Sequence, residues 1–251
     1  WEEKKSMCVV LCSNGYPDIY KKILNQENFH VSEFSLSNYC MMRERDICQM
    51  TAIPVFVNRG FQHSIIWVRK DSNLNSVTDL KNSKIGIKEY SQTAAVWLRG
   101  ILLEEYDLHW SSINWYANNK QRFTPPTQAN VKLVSEDPEE LVINGELDAY
   151  VAPRPLDIQK SSKNRVLRPL INNHVEVEKK YFETSGIYPI NHCVMIHHDI
   201  LAKNPEIGYS LFKAYSKSKE KALKRKLGAT LLPWVDRQWS EVIDIFNGDP
   251  Y

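Results

Sequence analysis

Several polar groupings in this 251-residue chain have the residue types needed to hold a small anion and move a proton. Ser32, Glu33, Ser35 and Ser37 follow a short apolar run that ends at Val31. Glu89, Tyr90, Ser91, Gln92 and Thr93 lie between a strand pattern and a helix pattern. Free N–H groups at a helix start, backed by the helix dipole, suit a carboxylate or a phosphate. Arg154 is bracketed by Pro153 and Pro155, which preorganises a guanidinium for two-point capture of a carboxylate. Arg59 stands just ahead of His63, and His192 opens a later strand pattern. Histidine titrates at roughly 6.5 when unperturbed, so His63 or His192 could deliver a proton near neutrality. Glu33 or Glu89 could be the acid instead if burial raises the carboxyl. Each residue also has a plainer role. Ser91 or Thr93 is first of all a helix N-cap, the glutamates and arginines could pair on the surface, and the histidines could be structural. The functional case rests on convergence, because open α/β sheets collect ligands at strand ends.

Other chemistries are excluded. The chain has no GxGxxG, P-loop or GxSxG pattern, and only 9 glycines in 251 residues to build a phosphate cradle. HExxH is absent, and His197 and His198 would point to opposite faces of a strand. No metal and no cofactor are expected. The five cysteines, Cys8, Cys12, Cys40, Cys48 and Cys193, are odd in number and form no CxxC. They read as reduced thiols of a cytoplasmic protein rather than as a disulfide framework or a zinc knuckle. No secretory signal precedes Trp1, so the chain is either cytoplasmic or separated from its leader. The net charge of 32 − 30 = +2 is too small for a nucleic-acid field. No apolar run approaches the roughly 18 residues of a membrane span. The expected partner is a small anion such as a carboxylate, with no nucleic acid and no membrane; an oligomer is compatible.

Short apolar runs alternate with helical periodicity, the mark of an α/β chain. Strands are predicted at Met7–Cys12, Phe29–Val31, His63–Val68, Lys84–Ile87, Leu147–Val151 and His192–His197, with Ser32–Ser37 a loop. Tyr16–Leu24 reads as a helix. So does Thr93–Tyr106, with Ala94, Leu98, Ile101 and Leu102 on one buried stripe. Asp137 and Pro138 open a further helix, which Asn144-Gly145 closes. After Asn204-Pro205-Glu206 comes a long helix with Ile207, Leu211, Tyr215 and Ala222 on its core side. The basic run Lys217–Lys226 lies on its solvated side. The order suggests two lobes, one from residues 1–68 and 190–251 and the other from 69–189. His63–Val68 and His192–His197 would be the two crossing strands.

Taken together, particular stretches resemble the 4,5-dihydroxyphthalate decarboxylase family. They are Val31-Ser32-Glu33-Phe34-Ser35-Leu36-Ser37, Ala52-Ile53-Pro54-Val55-Phe56 with Arg59 and Phe61-Gln62-His63-Ser64, and the long run from Gly86 to Leu102. Gly145-Glu146-Leu147-Asp148-Ala149, Arg154-Pro155 and Gly186-Ile187-Tyr188-Pro189-Ile190-Asn191-His192 follow in the same order. Lys88, where the family tends to have proline, and the short region Asn118–Asn130 depart from the pattern. The resemblance implies an α/β, two-lobed fold of the type II periplasmic-binding-protein kind, with a ligand cleft between the lobes. It implies decarboxylation of a dihydroxylated aromatic dicarboxylate to protocatechuate and carbon dioxide. Arg154, Arg59 and the Ser91–Thr93 helix start would then hold two ortho carboxylates, and His192 or His63 would supply the ring proton. Related chains of this fold are solute-binding proteins of importers, so capture of a small carboxylate without chemistry is the alternative.

Overall fold

The computed structural model describes residues 16–25, 27, 29–226 and 235–251. The strand expected at Met7–Cys12 lies outside the described residues. The elements run α1 (Tyr16–Leu24), β1 (Val31–Ser35), α2 (Leu36–Glu44), β2 (Met50–Arg59), β3 (Ile66–Arg69), β4 (Lys84–Ile87), α3 (Thr93–Tyr106), β5 (Asn114–Asn118) and β6 (Val131–Val134). Then come α4 (Pro138–Ile143), β7 (Ala149–Val151), β8 (Leu167–Pro169), α5 (His174–Ser185), β9 (Ile190–His197), α6 (His198–Lys203), α7 (Ile207–Lys226) and α8 (Val235–Phe246).

The described strands form two sheets, in the orders β1-β9-β2 and β6-β5-β4-β7-β3-β8. The first is antiparallel. In the second, β4 pairs in parallel with β5 and β7, whereas β3 runs antiparallel to β7 and β8. The chain leaves the first sheet after Arg59, enters the second at Ile66 and returns at Ile190. This is a two-lobed α/β architecture. Residues 60–65 and 170–189 are the passages between the sheets, next to the two strands expected to cross.

Local signals fix many elements. The α3 stripe of Ala94, Leu98, Ile101 and Leu102 is buried, as the spacing predicts. Asp137 caps α4 by accepting the Glu139 N–H, and Pro138 is its first residue. Gly145 ends it with φ +82°, a backbone that glycine adopts without strain. A Cβ at Gly86 would stand 3.0 Å from Pro138, so its absence lets α4 lie close on β4.

Three expectations need correction. Ser32–Ser37 is not a loop: β1 continues to Ser35 and α2 starts at Leu36. The ladder from Val31↔Ile196 to Ser35↔His192 holds the strand, with Phe34 fully buried. His63–Ile65 is a 3-10 turn, because the partners of β3 begin only at Ile66↔Val151. On α7, Leu211 is buried, but Tyr215 and Ala222 are exposed. The start of that helix rests on the first sheet, where a Cβ at Gly208 would be 3.8 Å from Ile53. No helix among the described residues is long and apolar enough to cross a membrane.

Candidate functional site

The end of β1, the first turn of α2 and the loop between β4 and α3 meet in a seam of buried hydroxyls. Ser35, Ser37, Asn38, Ser91 and Thr93 are all buried there. Thr93 Oγ1 is the focus: Ser35 Oγ lies 2.8 Å away, Ser37 Oγ 3.0 Å away, and the Ser37 N–H donates to it at 3.2 Å. Ser37 Oγ gives its one proton to the Ser91 carbonyl at 2.6 Å. It therefore presents lone pairs to Thr93.

A second layer fixes this seam. Asn38 Nδ2 donates to the Ser91 carbonyl at 3.0 Å and to Ser91 Oγ at 3.2 Å. Ser91 Oγ donates to Glu89 Oε1 at 2.7 Å, and Glu89 Oε2 accepts the Arg122 N–H at 3.0 Å. The Arg122 side chain stands 4.0 Å from Glu89 Oε2 and donates to Asn38 Oδ1 at 3.0 Å. Its guanidinium lies 5.3 Å from the Tyr20 ring.

The seam runs on into a histidine pair. Strand alternation puts Glu33 and Ser35 on one face of β1, and Ser35 is directly opposite His192 on β9. His192 Nδ1 is 2.6 Å from Glu33 Oε1. The Tyr20 hydroxyl lies 3.2 and 3.1 Å from the two ring nitrogens. A carboxylate at that distance sets the ring orientation. Buried hydroxyls and an imidazole paired with a carboxylate therefore share one strand end.

Of the residues singled out from sequence, Glu33, Ser35, Ser37, Glu89, Ser91, Thr93 and His192 come together here. Gln92 is the N-cap residue of α3, with no side-chain cap bond. Tyr90 is buried beside the seam, where its N–H donates to Gln121 Oε1 at 2.8 Å, and burial raises its phenol pKa. Arg59 is committed elsewhere. It donates to the Tyr188 carbonyl at 2.8 Å and the Pro250 carbonyl at 3.2 Å, and stacks 4.7 Å over the Tyr188 ring. Arg154 is exposed in the loop after β7, with no hydrogen bond or ion pair to another described residue. His63 is buried under α5, its ring centroid 5.1 Å from that of Tyr181, and neither ring nitrogen has a hydrogen-bond partner among the described residues. Burial, helped by nearby His174, pulls its pKa down to about 4.

Tyr20, Asn38 and Arg122 were not anticipated. Tyr20 was within reach, because Tyr20 and Ile23 share the buried side of α1. Asn38 sits in a helix without a clear apolar stripe. Arg122 comes from an irregular loop after β5 that carries no local signal. Among the described residues, no group of three or more His, Cys, Asp or Glu is placed to hold a metal ion.

Comparisons bear on fold and family. A family model described as "ABC transporter, phosphonate, periplasmic substrate-binding protein" matches residues 10–147. Two curated proteins named 4,5-dihydroxyphthalate decarboxylase are similar in sequence. That of Comamonas testosteroni is 29% identical over 218 residues, covering 83% of this chain and 66% of the relative. That of Pseudomonas putida is 31% identical over 147 residues, covering 55% and 57%. The periplasmic aliphatic sulphonate binding protein SsuA from Escherichia coli superimposes with a TM-score of 0.51 at 13% identity, over 92% of this chain and 64% of that one. The alkanesulfonate-binding protein SsuA from Xanthomonas axonopodis pv. citri, bound to MOPS, gives 0.51 at 11% identity over the same shares, 92% and 64%. This chain thus spans less than two thirds of these relatives' length. At such identity the solved structures speak for the two-lobed fold alone.

Proposed function

The chain belongs to the family of periplasmic substrate-binding proteins of phosphonate ABC transporters, and from that premise we propose that it binds a small aromatic dicarboxylate at the hydroxyl seam and decarboxylates it. The substrate class is a dihydroxylated phthalate such as 4,5-dihydroxyphthalate, and the products are protocatechuate and carbon dioxide. The named relatives support this choice of substrate. The decarboxylase reading goes with a cytoplasmic protein.

One observation carries the site: Ser35 Oγ, Ser37 Oγ and the Ser37 N–H converge on a single oxygen, Thr93 Oγ1. When the sheets part, a ligand carboxylate oxygen takes that place, and the Ser37 hydroxyl turns its proton from the Ser91 carbonyl to the ligand. The α2 N-terminus then faces the anion, with Arg122 and Asn38 behind it. His192, held by Glu33, gives its proton to the ring carbon that bears the departing carboxylate. The C–C bond then breaks, its electron pair restores the aromatic ring, and carbon dioxide leaves. A hydroxyl para to that carbon supplies the electron density that lets the ring accept a proton first. His192 regains its proton from solvent. His63, with its pKa lowered to about 4, is neutral near neutrality and lacks a proton to give.

A second reading is favoured by the family itself, whose description is of a binding protein. There the same seam captures a carboxylate for an importer and does no chemistry. Incubation of the purified protein with 4,5-dihydroxyphthalate decides between them. Release of carbon dioxide and protocatechuate is expected. Saturable binding without release would leave the importer reading, and no binding would remove both.

A further inference from the structure

Arg99, on the second turn of α3, has a use that the seam does not explain. Its guanidinium lies 3.9 Å over the Tyr90 ring and 5.9 Å from that of Trp115. Nη1 is buried and has no hydrogen-bond partner among the described residues. A guanidinium is all donor, so stacking on rings leaves that N–H unmet. Burial also pulls its pKa down, the sign of a cation short of a counter-charge.

Beside it opens a cavity of about 350 Å³, walled by Tyr90, Ser91, Phe123, Thr124, Pro125 and Pro126. That volume fits a small ligand. The one acid in the lining, Glu44, sits 3.7 Å from Arg45 rather than on Arg99. Arg45 in turn lies 5.0 Å over the Phe123 ring. The cavity is therefore flat-walled, with the Arg99 side chain in its lining and no acid of that lining on it.

We propose that this cavity, which adjoins the seam at Ser91, is a second ligand site that takes a planar aromatic monocarboxylate with its carboxylate on Arg99 and its ring against Phe123 and the Pro125-Pro126 pair. An anion there supplies the counter-charge that the Arg99 guanidinium lacks. The proline and phenylalanine walls select a flat, apolar ring.

Benzoate is the probe, and the readout is the methyl resonance of Thr124, which lines this cavity but belongs to none of the seam's hydrogen bonds. Titration of the full chain should move that resonance saturably. Benzamide, of the same shape but neutral, should bind at least ~10-fold more weakly, as should benzoate to Arg99→Gln. Phe123→Leu should weaken benzoate several-fold, and serves if Arg99→Gln does not fold. Thr93→Val should leave the Thr124 titration within about twofold even if it abolishes binding at the seam. An unmoved Thr124 resonance at millimolar benzoate overturns the proposal. So does equal binding of benzamide, or a titration lost in Thr93→Val and kept in Arg99→Gln.

Discussion

His192 and His63 occupy comparable places, each beside a passage between the two sheets, yet their surroundings are opposite. His192 has a carboxylate at 2.6 Å and a phenol hydroxyl just over 3 Å away. His63 is buried, and neither of its ring nitrogens has a partner among the described residues. Glu178 on α5, hydrogen-bonded to Ser64, is the same kind of group: burial lifts its carboxyl to about 7. The lesson is that a histidine's chemistry comes from its partners. An acid neighbour orients the His192 ring, whereas His63, desolvated without a partner among the described residues, is held neutral.

The largest expected effect breaks or keeps this contrast directly. His192→Asn should lower turnover of 4,5-dihydroxyphthalate by ~10²–10⁴-fold, the range for a lost general acid. His63→Asn should change it by a few-fold at most. Equal losses in steady-state assays would end the distinction. The next effect concerns the anion. Arg122→Gln should weaken carboxylate binding by about 2–5 kcal/mol, the range for truncating one partner of a buried charged pair. Arg154→Gln should do little unless its exposed guanidinium moves into the cleft on binding. Calorimetry on both variants shows which arginine is the anchor.

Stability sharpens the comparison further. Thr93→Val removes the acceptor of the buried Ser37 N–H and should cost about 1–3 kcal/mol in denaturant unfolding. His63→Leu removes two polar atoms that have no partner among the described residues, so it should be close to neutral or mildly stabilising. The smallest effect is a pH dependence. The Glu178 carboxyl titrates near 7 in the folded protein against an ordinary value of 4.5. The folded state thus holds a proton that the unfolded chain releases, and stability should fall as pH rises from about 4.5 through 7. Glu178→Gln removes that fall. It should add about 1 kcal/mol near pH 8, a figure reduced for partial exposure, and nothing near pH 4.5. Urea titrations at the two pH values check this, and a gain of equal size at both would assign the effect to packing.

Much of the architecture is legible residue by residue. The buried stripe of α3, the Asp137-Pro138 start and Gly145 stop of α4, and the apolar runs at β4 and β9 are written in neighbouring residues. Each depends on a helix or strand period and on cap chemistry, which act over a few positions. The resemblance of the Val31–Ser37 and Gly86–Leu102 stretches also carries the seam's main residues. Beyond that, the chain's own pattern falls silent. Nothing local marks Ser32–Ser37 as strand and helix rather than loop, because the ladder to β9, some 160 residues away, decides it. Nothing local separates His192 from His63, or brings Arg122 rather than Arg59 to the hydroxyl seam. Sequence spacing reports which face of its own element a residue occupies. Which faces then meet, and whether a buried donor finds an acceptor, follows from strand register and from the approach of α2 to α3, and only the packed tertiary structure sets these.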